Sequence, residues 1–116
     1  MDSTELKRRT KKFAHDCIKI VSELPKTQLG KHIADQLNRC STSVAANYRS
    51  ACHAQSKAAF IAKISIVIEE CDESEFWLEF IMDESLLSRE RVQSFFYEAH
   101  ELASIFVKSR RTAQGR

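Results

Sequence analysis

Only one proline, Pro25, and two glycines, Gly30 and Gly115, punctuate this sequence. An all-β chain of similar length needs many tight turns, and so many Gly, Pro, Asn and Asp at turn positions. Long helices joined by a few short loops need almost none, and the sequence therefore reads as all-α. Its 116 residues, 43% hydrophobic and 29% charged, supply one core and one domain, residues 1–116, and are too apolar for a disordered segment.

Four amphipathic segments carry the three-four spacing of helices. Leu6, Phe13, Ala14, Cys17, Ile20, Val21 and Leu24 mark the first, about residues 4–24, which ends where Pro25 disfavours helical geometry in the residue before it. Thr27 is placed to cap the second, about 27–54, whose stripe is Ile33, Leu37, Cys40, Val44, Tyr48, Ala51 and Cys52. A third runs from Ser56 to about Leu86 through Phe60, Ile64, Val67, Ile68, Cys71, Trp77 or Leu78, and Ile81. Ser88 caps the fourth, about 88–110, with Val92, Phe95, Phe96, Ala99, Leu102, Ala103 and Phe106 inward, and Glu90 suits the dipole of its first turn. Residues 111–116 have no apolar anchor and are expected to fray. Short connections make chain neighbours antiparallel, so the expected architecture is an antiparallel up-down-up-down four-helix bundle.

A net charge of +2 conceals a strong asymmetry. Residues 1–63 carry 12 Lys/Arg against 5 Asp/Glu, whereas residues 64–116 carry 6 against 11. In the expected topology the start of the first helix, the loop between the second and third, and the end of the fourth share one tip. That tip would gather Lys7, Arg8, Arg9, Lys11, Lys12, Arg49, His53, Lys57, Lys63, Lys108, Arg110 and Arg111, while Glu79, Asp83 and Glu84 fall at the other end. Clustered Lys and Arg displace condensed counterions from phosphate backbones, which makes ten of these residues, all but His53 and Lys63, candidate nucleic-acid contacts. The plainer reading is a solvated end whose charges are neutralised by acidic neighbours or by another subunit.

Catalytic and metal-binding patterns are missing from the sequence. The inward Glu-x-x-His pairs of di-metal bundles do not occur, and Glu98 and His100, two apart, point different ways. Cys52 and His53 are adjacent, about 100° apart on a helix, and make no dyad. His15, His32 and His100 stand alone, and there is no glycine-rich phosphate loop. Cys17, Cys40, Cys52 and Cys71 lack zinc-type spacing and read as small buried hydrophobes with reduced thiols. No catalytic residue, metal or cofactor is expected, and the absence of a leader-like or membrane-length apolar run points to the cytoplasm. On the second helix a polar stripe of Gln36, Arg39, Ser43, Asn47 and Ser50 runs beside the apolar one and could fix a helix-helix contact.

The run Gln36-Leu37-Asn38-Arg39-Cys40-Ser41-Thr42-Ser43-Val44-Ala45-Ala46-Asn47-Tyr48-Arg49, followed by Ser56-Lys57-Ala58-Ala59-Phe60, resembles the signature of the four helix bundle protein family, also called the 23S rRNA intervening-sequence protein family. The signature is an Arg, then a Ser and an Asn four apart, then a Ser ahead of a Phe, and Arg39, Ser43 and Asn47 match it. Leu24-Pro25-Lys26 resembles the family's first turn, and Glu69, Glu70, Glu73, Trp77, Leu78 and Glu79 its acidic third helix. Ser50-Ala51 stands where many members have Glu-Gly. The resemblance spans about residues 9–109. It implies antiparallel bundles assembled as homopentameric rings, some of them encoded within insertions in 23S rRNA genes. It also implies kinship with the basic, pentameric accessory factor of diversity-generating retroelements, which associates with a reverse transcriptase and nucleic acid. On this basis the expected partners are copies of the same chain, with rRNA or another nucleic acid, or a partner protein, as the ligand; Arg39, Ser43 and Asn47 become candidates for subunit contact.

Overall fold

The computed structural model describes residues 1–116, which form four helices and no strand: α1 (Ser3–Ser22), α2 (Gln28–Cys52), α3 (Lys57–Asp83) and α4 (Arg89–Ala113). Each begins on a side-chain oxygen that accepts from an otherwise orphaned backbone N–H. Asp2 accepts from Glu5 N at 2.9 Å, Thr27 from Gly30 N at 3.1 Å, Ser56 from Ala59 N at 3.0 Å and Ser88 from Arg91 N at 3.2 Å. The caps at Thr27, Ser56 and Ser88 are those the sequence signals, while Asp2 starts α1 a residue early.

The helix ends differ more from expectation. α1 stops at Ser22 rather than Leu24, because Glu23 N and Leu24 N tighten onto Ile20 O and Val21 O, three residues back, which turns Leu24 into the core. α2 stops at Cys52 rather than residue 54 through the same tightening at His53 and Ala54. α3 ends at Asp83 rather than Leu86, since Ser85 takes a left-handed conformation with φ 52°. Leu86 N then reaches back to Ile81 O at 3.0 Å and Ser85 N to Met82 O at 3.1 Å, a Schellman closure that packs Leu86 against the core. The end of α4 repeats the device with Gly115 at φ 77°, where Arg116 N bonds Arg111 O and Gly115 N bonds Thr112 O. The expectation of a frayed tail from residue 111 is thereby corrected: helix persists to Ala113 and is closed by a glycine cap.

One core of 21 buried residues, drawn from all four helices and Leu24, fills the bundle. Phe13, Phe106, Ile20, Ile33, Leu37, Ile64, Leu78, Ile81 and Leu102 are its largest wholly enclosed members. Tyr48 is buried against Phe106, with ring centroids 5.0 Å apart. Packing is extensive along α1–α2, α2–α3 and α3–α4 and sparsest along α1–α4. Cross-helix partners run in opposite numerical order. Arg9 meets Glu98 and Glu101 while Glu23 meets Arg91; His32 meets Trp77 while Arg39 meets Glu73 and Glu70; Ser65 meets Arg110 while Glu75 meets His100. The Cα envelope is 45 × 20 × 20 Å.

Candidate nucleic-acid interface

A groove of about 710 Å³ opens between α1 and α2. The i, i+4 spacing of Lys7, Lys11 and His15 places them in a row on α1, and Arg49 of α2 and His53, the residue that follows α2, line the facing wall. Arg8 stands at the rim with a side chain 72% exposed. Ala14, Ile18, Thr42, Ala45 and Ala46 complete the lining, which contains no carboxylate. Lys7, Lys11 and Arg49 have no acidic partner within 4.0 Å, and Arg8 has only Glu5 at 3.6 Å. Four side-chain cations thus face a hollow with short-side-chain walls and no counter-charge inside it.

The other candidate cations are distributed differently. Arg9, one turn from Lys12 and on the opposite side of α1 from the groove, forks onto Glu98 with two bonds of 2.7 Å and reaches Glu101 at 3.1 Å. These carboxylates raise the guanidinium pKa above its already high ordinary value, the hydrogen bond that Arg9 donates to Glu98 acting most strongly. Lys12 is bonded to Asp16 at 2.8 Å. Arg110 donates to Ser65 Oγ at 3.2 Å. Lys108 and Arg111 line a second groove, about 610 Å³, between α3 and α4, and share it with Glu69, Asp72, Glu75 and His100. Lys57 is exposed at the first residue of α3. The single basic tip expected from the sequence therefore resolves into one groove free of acids, one of mixed charge, and several cations already paired.

The signature residues lie along α2 where it adjoins α3. Arg39 binds Glu70 at 3.1 Å and makes a close contact with Glu73, which also accepts from Trp77 Nε1 at 3.1 Å. Partial desolvation pushes the Glu73 pKa up, but the bonds from Arg39 and Trp77 outweigh it and hold the carboxyl below its ordinary value. Asn47 Nδ2 donates to Ser43 O at 3.0 Å and to Ser43 Oγ at 2.8 Å, so this pair is joined along α2. Of the polar stripe, Arg39 alone bridges to the neighbouring helix. Part of the acidic run on the third helix, Glu70 and Glu73, is its counterpart.

The histidines also sort themselves. His15 and His53 belong to the α1–α2 groove, His32 sits edge-on to Trp77 with centroids 5.5 Å apart, and His100 Nδ1 lies 3.1 Å from Glu75 Oε1. The i, i+4 relation of Lys7, Lys11 and His15 was the available signal for the groove wall; His15 and His53 were not among the expected contacts. Cys17, Cys40 and Cys71 are buried thiols from three helices, with Ser74 Oγ donating to Cys40 Sγ at 3.2 Å. Burial, chiefly, pushes the Cys40 thiol up to about 11 and the other two higher still. No group of three or more His, Cys, Asp and Glu side chains converges as a metal site requires, and no helix is long and apolar enough to cross a membrane.

Residues 3–108 match the family model described as 23S rRNA-intervening sequence protein. The fold is also similar to the crystal structure of a protein of unknown function from the S23 ribosomal protein family of Bacteroides thetaiotaomicron. The two are 30% identical with a TM-score of 0.84, over 90% of this chain and 97% of that one. No functionally curated protein matches the chain.

Proposed function

The chain belongs to the 23S rRNA-intervening sequence protein family, and on that footing we propose that it is a non-enzymatic, homo-oligomeric bundle that binds RNA or DNA through the basic groove between α1 and α2. The observation that carries this reading is the convergence of Lys7, Arg8, Lys11 and Arg49 on a hollow with no carboxylate. Lys7, Lys11 and Arg49, which have no acidic partner, and Arg8, held only by the exposed Glu5, remain available to phosphates, whereas Arg9 and Lys12 are engaged more closely by acids of the same molecule. The opposite numerical order of the cross-helix partners supports the antiparallel up-down-up-down arrangement. The free thiols suit a reducing compartment such as the cytoplasm.

Assembly with copies of itself, in the five-fold ring that the family resemblance implies, is supported by α3. Besides its core side this helix carries Ile66 and Phe76 at 38% and 48% exposure, with Trp77 and Phe80 half-buried beside Phe76. Apolar side chains on two sides of one helix suit a helix with two packing partners. Arg39, bonded to Glu70 and Glu73 of α3, and Ser43 and Asn47 at i+4 spacing beyond it on α2 are the candidate subunit contacts. Light scattering giving the mass of five chains is the expected result.

The test of the binding function is retention of 23S rRNA fragments on a filter at low salt, falling steeply as salt rises. Charge reversal of Lys11 and Arg49 together should abolish retention. A wild-type protein that retains no nucleic acid at low salt would sink the reading. The second reading is a scaffold whose apolar α3 face docks a partner protein, favoured by the exposure of Phe76. It predicts a co-purifying polypeptide whose binding is indifferent to neutralising Lys7, Arg8 and Lys11.

A further inference from the structure

Resting on the binding function proposed above, we infer that the α1–α2 groove takes one strand of nucleic acid by its phosphates, turns away the double helix, and does not read base sequence. Width makes the first distinction. Packed helices lie about 8–10 Å apart axis to axis, so the furrow between α1 and α2 admits a single backbone. A double helix is about as wide as the whole bundle's 20 Å Cα cross-section and can only touch the rim.

The placement of charge fits a strand. Lys7 and Lys11 are one turn apart, a rise of about 6 Å, comparable with the separation of successive phosphates along a backbone. Arg49 faces them from α2, so a strand lying in the groove has cations on both sides, and Arg8 extends the row at the rim.

The lining is also poor in the side chains that read bases. Sequence is read by bidentate Asn or Gln, by acids that accept from cytosine, or by Arg or Lys bidentate to the edge of guanine; of these the lining holds only the Arg and Lys assigned above to phosphates. Here the floor is Ala14, Ile18, Ala45 and Ala46, and Thr42 is the one hydroxyl-bearing side chain. The imidazoles of His15 and His53 are the only rings, and stacking on them is indifferent to base identity.

Fluorescence anisotropy with labelled oligouridylate, oligoadenylate, oligothymidylate and a short RNA duplex tests this. The three single strands should bind within about threefold of one another, and the duplex at least about tenfold more weakly. Four phosphate contacts give a log–log salt slope of about −3 for a single strand, and Lys11→Ala or Arg49→Ala should each weaken binding and remove about 0.7 from that slope. Lys31→Ala, outside the groove, should leave both unchanged. Equal or tighter duplex binding, or a strong preference for one homopolymer, would overturn the single-strand inference and leave nucleic-acid binding standing. If none of the four probes binds at low salt, the proposed function falls with it.

Discussion

Arg9 on α1 and Glu98 on α4 are locked by two hydrogen bonds of 2.7 Å, from Nε to Oε2 and from Nη2 to Oε1, with side chains only 19% and 27% exposed. This fork spans the α1–α4 seam, where apolar packing is sparsest. Farther along the same seam Arg91 Nε bonds Glu23 Oε1 at 2.9 Å, but that pair is open to solvent. Where few side chains interdigitate, a geometrically fixed ion pair bears more of the task of holding two helices in register.

Arg9→Ala should therefore destabilise the fold by about 1–2 kcal/mol, the range for a charge-assisted bond discounted for partial exposure. Lys12→Ala, which loses an exposed i, i+4 pair with Asp16, should cost less than about 0.5 kcal/mol. Thermal unfolding followed by circular dichroism compares the two. Equal melting temperatures would mean that the α1–α4 seam does not rely on the fork.

Acid should loosen the α2–α3 seam through Glu73. Its folded pKa is lowered, so the Arg39 bond contributes fully above the unfolded value of about 4.3 and is lost as pH falls through the depressed folded value. Trp77 is the sole tryptophan and donates to this carboxylate, so its emission reports the titration directly. The expected midpoint is below that of an ordinary glutamate. In Arg39→Ala it should move upward, and in Glu73→Gln the transition should vanish; an unmoved midpoint in Arg39→Ala would contradict the assigned cause.

The difference between legible and illegible features follows from the range of the forces involved. Thr27, Ser56 and Ser88 announce helix starts because an N-cap is a local bond made by a characteristic side chain. The end of α3 escaped because Ser85 is not a residue type that advertises left-handed backbone, and apolar Leu86 and Leu87 prolonged the apparent stripe. Gly115 was a readable stop signal for α4. In the site, helical spacing alone separates Lys7 and Lys11 from Arg9 and Lys12. That Glu98 occupies Arg9 depends on the axial register of α1 against α4, set by packing between residues 89 apart.

Two backbone positions should respond to substitution in opposite directions. Ser85→Gly removes the left-handed penalty of a side-chain-bearing residue and should stabilise by about 1 kcal/mol. Gly30→Ala would set a Cβ 1.9 Å from the Pro25 carbonyl oxygen, a backbone atom that cannot swing aside, and the turn between α1 and α2 would have to open. A loss of about 1–3 kcal/mol is expected, as for overpacked cores. Urea unfolding measures both; a neutral Gly30→Ala would mean that the turn yields freely.

Thiol chemistry offers a last check on the core. Cys17, Cys40 and Cys71 are completely enclosed, and desolvation disfavours the thiolate that any alkylating reagent requires. With Cys40 raised to about 11, its thiolate is scarce at mildly alkaline pH, and the reagent has no path to it in the folded bundle. Cys52, half-buried at the end of α2, is the only thiol with access to solvent. Brief treatment of the native protein with iodoacetamide at mildly alkaline pH should therefore add one label, at Cys52, with the remaining three thiols reacting once urea unfolds the chain. Intact-mass measurement counts the labels, and peptide mapping locates them. Rapid native labelling of Cys17, Cys40 or Cys71 would show that the helices part readily around these thiols.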